Sequence, residues 1–304
     1  MSSSAPDRSA PRPLDASALV HVRRRLQRQA HAPWLHGEVA RRMGERLSLI
    51  KLRPARILDW GAFVGDGLPV LSSAYPQALL TAVEADEDRR DATAAARRPA
   101  WWKALAGHVA SAVLRPHEVG AGSAELLWAN MVLHGVVDPQ REMAAWHRAL
   151  AVDGFLMFST LGPGSLRGLV QLYEGMGWPS PLAPFVDMHD LGDMLVQAGF
   201  ADPVMDQETL TLTWASADAL LAELRLLGGN ADPQRTAGLR TPRWRARLVE
   251  ALATLAGPDG RIALAFELVY GHAFKPAPRP SVASETTVSL DDMRALVRRR
   301  GPAG

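Results

Sequence analysis

The chain has 304 residues, 47% of them hydrophobic, which is enough for one large α/β domain with a sizeable core. It contains no cysteine, which excludes disulfides, thiolate zinc sites and cysteine nucleophiles. The net charge of +2 conceals an asymmetry: residues 1–56 carry 12 basic against 4 acidic side chains, so the other 248 residues are net −6 (22 minus 28), and the N-terminal face suits an acidic partner.

Residues 1–16, MSSSAPDRSAPRPLDA, hold almost nothing to bury and are expected to be a disordered lead-in. From Ser17 the spacing of Leu19, Val22 and Leu26, and then of Val39, Met43 and Leu47, predicts two helices divided at Ala32-Pro33. Short apolar strands then alternate with helices, predicting a doubly wound, parallel sheet. The strands are expected at Arg56–Trp60, Leu79–Glu84, His108–Ala112, Glu125–Ala129 and Phe155–Thr160, with helices at Gln140–Leu150, Leu166–Gly175 and Asp187–Ala198. A last pair, Thr209–Trp214 and Ala263–Gly271, is expected to be antiparallel at the sheet edge. The residues between them, 215–260, form a helical insertion built from Ala217–Leu227 and Arg243–Leu255. Residues 17–276 thus form one domain, followed over 277–304 by a Pro/Ser-rich linker and a short helix, SLDDMRALVRRR. No apolar run approaches the roughly 20 residues of a membrane helix. With no cationic, apolar start after Met1 either, the expected setting is the cytoplasm, with no membrane and no nucleic acid as partner.

Chemistry concentrates in ILDWGAFVGDG, Ile57–Gly67. Ligands of open α/β sheets bind beyond the carboxyl ends of the strands, at the first strand's loop. Gly61 permits the tight turn and Gly65 lets the next helix approach the strand, whereas Phe63 stands where such loops carry glycine. There a benzyl group is expected to strain a positive φ or to fill the ligand's space. Glu84 ends the second strand, where a carboxylate accepts ribose hydroxyls. Asp66 in the first turn of the following helix opposes phosphate, which argues against a nicotinamide dinucleotide. S-adenosylmethionine meets these constraints, with a ribose for Glu84 and an ammonium for Asp59 and the loop carbonyls. His134, His147, His189 and His272 show no paired metal spacing, so no metal is expected, and GPGSL at Gly162–Leu166 suggests a turn with Ser165 capping a helix.

The stretch ELLWANMVLHGVVDPQREMAAWHRALAVDGFLMFSTLGPGSL, Glu125–Leu166, resembles class I methyltransferases, and most closely the malonyl-acyl-carrier-protein O-methyltransferases of biotin synthesis. The resemblance continues through FVDMHDLGDMLVQAGFADPVMD, LTLTW and IALAFELVYGHAFKP, covering residues 34–276. It implies a Rossmann-like fold, a seven-stranded, mostly parallel sheet with an antiparallel last strand, and a helical lid over a carboxylate that is small or bound to acyl carrier protein. It also implies cofactor contacts from Asp59, Gly61, the Phe63 position, Gly65 and Glu84, with Ser111 standing where an adenine-binding Asp is usual and Asn130 near the methyl group. His134 falls on the substrate side, and Arg225 is a substitute for a lid arginine that aligns with Ala222. The departures at Phe63, Ser111 and Ala222 leave open a second reading, a non-catalytic relative that binds a carrier, an enzyme partner or a small acid.

Overall fold

The first strand, β1 (Arg56–Trp60), follows from RILDW, whose last four residues are buried. It alternates Ile57 and Asp59 toward one face of the sheet and Leu58 and Trp60 toward the other, as the two-residue period of a strand requires. Burial of both faces needs helices on both sides, and the sequence supplies them. The computed structural model describes residues 12–97, 111–236 and 238–278.

Seven strands form one sheet in the order β3-β2-β1-β4-β5-β7-β6. These are β2 (Leu79–Val83), β3 (Val113–Leu114), β4 (Ala124–Ala129), β5 (Leu150–Leu161), β6 (Ala201–Trp214) and β7 (Ile262–Phe274). Strands β1 to β5 pair in parallel, and β7 runs antiparallel to both β5 and β6. This is the expected class I methyltransferase topology, with its antiparallel strand inserted beside the outermost one.

One face packs against α2 (Trp34–Leu47) and α4 (Leu68–Ala74), burying Val39, Met43, Leu71 and Trp128. The other is covered by α6 (Pro139–Ala149) and α8 (Met188–Gln197), which bury Met143, Trp146, Leu191 and Leu195. Complete burial of each such side chain stabilises the fold by about 1.5–3 kcal/mol. Helices α3 (Ala62–Gly65, a single turn) and α5 (Glu87–Ala96) flank the first loop, and α7 (Arg167–Gly175) follows β5. Between β6 and β7 stand α9 (Ala217–Leu226) and α10 (Pro242–Ala253), the expected insertion. No helix among the described residues is long and apolar enough to cross a membrane.

Three expectations need correction. Residues 12–15 are not a free lead-in. The Arg12 N–H donates to the Val137 carbonyl at 2.7 Å, Asp15 caps α1 (Ala16–Gln27), and Asp15 pairs with Arg235 at 2.7 Å. These polar anchors tie the segment, together with Leu14, which packs against Ala18, Leu19 and Ala231. Ser165 caps no helix, because its hydroxyl spans the backbone of Glu267, donating to the carbonyl and accepting from the N–H, both at 3.0 Å. The third strand begins at Val113 rather than ending at Ala112, which displaces Ser111 from the expected edge. Residues 98–110, with Trp101 and Trp102, and the C-terminal SLDDMRALVRRR lie outside the described residues.

Candidate active site

The site is built where β1 stops. Gly61 takes φ 68°, a conformation that disfavours any side chain, and its N–H donates to the Val83 carbonyl at 2.8 Å. The chain then makes the single turn of α3. A Cβ at Gly65 would lie 3.1 Å from the Asn130 carbonyl, so glycine is needed for close approach, as expected. Asp66 closes the turn in the left-handed region at φ 49°, ahead of Gly67, the N-cap of α4, rather than within the first turn of that helix.

Phe63 is not among the described residues with positive φ, so the expected strain is absent. It is part of α3, and its backbone N–H donates to Glu84 Oε1 at 2.7 Å. Its ring is half-buried and belongs to none of the hydrophobic core clusters. The Arg89 guanidinium lies over it, 3.4 Å from the ring centroid, and Arg89 also reaches the Gln29 carbonyl at 3.3 Å. Thus the chain's departure from glycine is matched by a cation from α5 that stacks on it.

Glu84 is buried at the end of β2 and also accepts from the Thr93 hydroxyl at 3.2 Å. Burial pushes its carboxyl up to about 7 despite the Phe63 N–H, which favours the anion. Asp59 is fully buried and pairs with Arg97 at 2.6 Å. Burial raises its pKa, and Arg97 opposes the rise. Its other oxygen, Oδ1, has no hydrogen-bond partner, and neither has Trp128 Nε1. Both crowd Gly67, where a Cβ would lie 2.6 Å from the oxygen and 2.8 Å from the nitrogen.

Asn130 is more committed than expected. Its Nδ2 donates to the His36 carbonyl at 2.8 Å and the Gly65 carbonyl at 2.6 Å, and its Oδ1 accepts from the Ser159 hydroxyl at 2.5 Å. It fastens the loop to α2 and β5. Ser111 is displaced from the loop edge because Val113 and Leu114 stand opposite Ala82 and Val83, with the Ala82 N–H donating to the Ala112 carbonyl at 2.9 Å. The residue leaving β3 at the carboxyl end is Arg115, held by Glu118 through its N–H at 2.7 Å and its side chain at 3.2 Å.

Beside this loop opens a cavity of about 740 Å³. His36, Met131 and His134 line its inner wall, Phe185 and Tyr173 its side, and Ala222, Arg225 and Trp244 of the insertion its cover. His134 and Arg225 therefore share one cavity, with Arg225 exposed at its rim. None of Asp59, Gly61, Phe63, Gly65, Glu84, Ser111 and Asn130 lines it; it meets the loop through His36.

His36 was not legible as functional, since it occupies a core position of an amphipathic helix. It is buried, and its Nδ1 lies 2.9 Å from the Val64 carbonyl, an acceptor only, so Nδ1 carries the proton. Burial lowers its pKa to about 4, leaving a neutral ring whose Nε2 has no partner. The ring meets His134 edge-on at 5.8 Å. Burial, with His36 and Arg12 beside it, lowers His134 to about 3, and its Nδ1 is also unpartnered. No cluster of three or more His, Cys, Asp or Glu among the described residues is arranged to hold a metal ion.

Comparison with known proteins gives a consistent result. Residues 27–202 match the family described as a methyltransferase domain. A malonyl-[acyl-carrier protein] O-methyltransferase of Gallionella capsiferriformans is 40% identical over 250 residues, 81% of this chain and 85% of that protein. The enzyme of the same description from Laribacter hongkongensis is 38% identical over 271 residues, 86% of this chain and 88% of that one. Among solved structures, a putative methyltransferase of Bacillus halodurans aligns with TM-score 0.52 at 13% identity, covering 77% of this chain and 99% of that chain, a likeness of fold alone.

Proposed function

The chain belongs to the malonyl-[acyl-carrier protein] O-methyltransferase family, and from that premise we propose that it uses S-adenosylmethionine to methylate the free carboxylate of a malonyl thioester carried by an acyl carrier protein. The observation that carries this reading is the polarity of the site. Buried acceptors without partners, Asp59 Oδ1 and His36 Nε2, together with the Glu84 carboxyl, surround the loop, while arginines line the neighbouring cavity. Acceptors suit a ligand that brings hydroxyl and ammonium donors. Arginines suit a carboxylate.

The residues present fit the cofactor at its ribose and amino-acid ends. Glu84 would hold the ribose, and Asp59 with the loop would hold the ammonium side. When bound, S-adenosylmethionine supplies a methyl group on a sulfonium, an electrophile that needs no activation. The acceptor needs no base either, since a carboxyl group with a reference pKa near 4 is already an anion at neutral pH. Two neutral imidazoles, His36 and His134, at the junction agree with that requirement. The protein's contribution is to orient the acceptor and exclude water, where proximity supplies about 7–11 kcal/mol. The apolar side of the cavity, with Leu161, Leu169 and Phe185, performs the exclusion. The exposed arginines of α1, Arg23, Arg24 and Arg25, and its C-cap Arg28 form a basic face for an acidic carrier.

A second reading is favoured by one observation. Phe63 and Arg89 stack beside the carboxyl that would hold the ribose, which suits a relative that keeps the fold and binds without transfer. Incubation with methyl-labelled S-adenosylmethionine and malonyl-carrier protein separates the two. Base-labile label on the carrier supports transfer, and carrier binding without label supports the second reading.

A further inference from the structure

One cation of the cavity differs from the others. Arg12 reaches in from the N-terminal segment, and its guanidinium donates to the carbonyls of His134 at 2.9 Å, Val136 at 3.2 Å and Pro184 at 2.6 Å. All of these partners are neutral. No carboxylate among the described residues pairs with it, and burial alone lowers its pKa to about 10, so it stays charged at neutral pH. A partly buried charge held only by carbonyl dipoles keeps its attraction for an anion undiminished by any counter-charge.

The other arginines of the cavity are differently placed. Arg245 is paired with Asp218 at 2.6 Å, Arg240 lies over the Trp244 ring at 4.0 Å, and Arg23, Arg25 and Arg225 are exposed, the first two donating to the Gly135 carbonyl at 3.4 Å and the Gly228 carbonyl at 2.7 Å, whereas Arg12 is half-buried. Arg12 instead stands against His134, whose pKa is lowered first by burial and then by His36 and Arg12. The His134 ring meets His36, which is bonded to the cofactor loop at Val64. A carboxylate that is to be methylated has to sit between its cation and that loop. Arg12 occupies the inner position; Arg225 does not.

We propose that Arg12 is the residue that recognises the acceptor's carboxylate, a role for which the insertion offers Ala222 at the aligned position and otherwise only exposed arginines, Arg225, Arg240 and Arg245. Arg12 selects an anionic acyl group over a neutral one and turns its oxygen toward the loop. This rests on the methyl-transfer reading above.

The test compares two probes, the malonyl thioester of N-acetylcysteamine and its uncharged malonamide counterpart, as ligands of the full chain in the presence of S-adenosylhomocysteine. The wild-type protein is expected to prefer the anion by roughly 10- to 100-fold, the range of a charge-assisted hydrogen bond. Arg12→Gln is expected to erase that preference while binding the amide and S-adenosylhomocysteine as before, and Arg12→Lys to retain part of it. A variant that loses both probes alike makes Arg12 a clamp of the 133–137 segment and overturns the proposal. Retention of the preference in Arg12→Gln, with loss in Arg225→Gln, overturns it in favour of the rim. If the wild-type chain fails to bind S-adenosylhomocysteine at all, the methyl-transfer reading falls first and this inference with it.

Discussion

The backbone N–H of Phe63 points at the Glu84 carboxylate, 2.7 Å away, so the residue that replaces a loop glycine is hydrogen-bonded to the proposed ribose anchor. That bond belongs to the main chain and survives any substitution except proline. The side chain has a separate partner, the Arg89 guanidinium.

Phe63→Gly is therefore expected neither to relieve strain nor to open a core cavity. It removes the stack on Arg89 and places a second flexible residue in a single-turn helix, costs of about 0.5–2 and 0.5–1 kcal/mol. Urea denaturation should show a loss of about 1–3 kcal/mol with little change in S-adenosylhomocysteine affinity. A tenfold gain in affinity would mean that the benzyl group obstructs the ligand.

The Asp59–Arg97 pair is buried on both sides, with side-chain exposures of 0% and 5%. Removing one member strands the other, at about 3–5 kcal/mol. Arg97→Met should therefore destabilise strongly, and Asp59→Asn added to it should recover much of the loss. Equal melting of Arg97→Met and wild type would contradict the buried pairing.

Proton linkage gives opposite signs for His36 and Glu84. His36 has its folded pKa depressed from 6.5 to about 4, so its contribution is complete above pH 6.5 and is lost as pH falls toward 4. The size is about 3 kcal/mol at 1.36 kcal/mol per unit. His36→Gln should flatten that acid limb in a stability titration. Glu84 has its folded pKa raised from 4.5 to about 7, so its contribution is complete below 4.5 and is lost as pH rises through 7. Glu84→Gln should accordingly narrow the gap between stability at pH 5 and at pH 8. A wild-type acid limb unchanged by His36→Gln would place that imidazole in contact with water.

The N-terminal segment joins two parts of the cavity wall, with Arg12 on residues 133–137 and Asp15 on Ala231 and Arg235. Deleting residues 1–15 should raise amide hydrogen exchange in 228–236 while leaving β1, β4 and β5 protected. Unchanged exchange there would show that the segment closes nothing.

The parts of this architecture fixed by local pattern were legible. RILDW bounds β1 to the residue, and the antiparallel end of the sheet follows from TLTLTW and ALAFELVY with an insertion between them. Strand β6 begins earlier than its pattern suggests, because Asp202 and Pro203 read as a break. In the fold they occupy a bulge between Ala201 and Val204 in the outermost strand, where proline and charge are tolerated. Strand β5 likewise runs through Asp153-Gly154, a turn signal, across a register shift opposite Ala124 to Leu126. Glu84 and Gly65 were readable from position. Arg12, His36 and Arg97 were not, since each acquires its role from partners more than 25 residues away.

The central claim is that this loop, with Phe63 in it, still holds the methyl donor. Calorimetric titration of the full chain with S-adenosylhomocysteine tests it most directly. The account predicts stoichiometric binding that Glu84→Ala weakens by about 1.5–3 kcal/mol, the value of a hydrogen bond to a charged group. No heat of binding in the wild-type chain at millimolar ligand, or binding that Glu84→Ala leaves untouched, would contradict it.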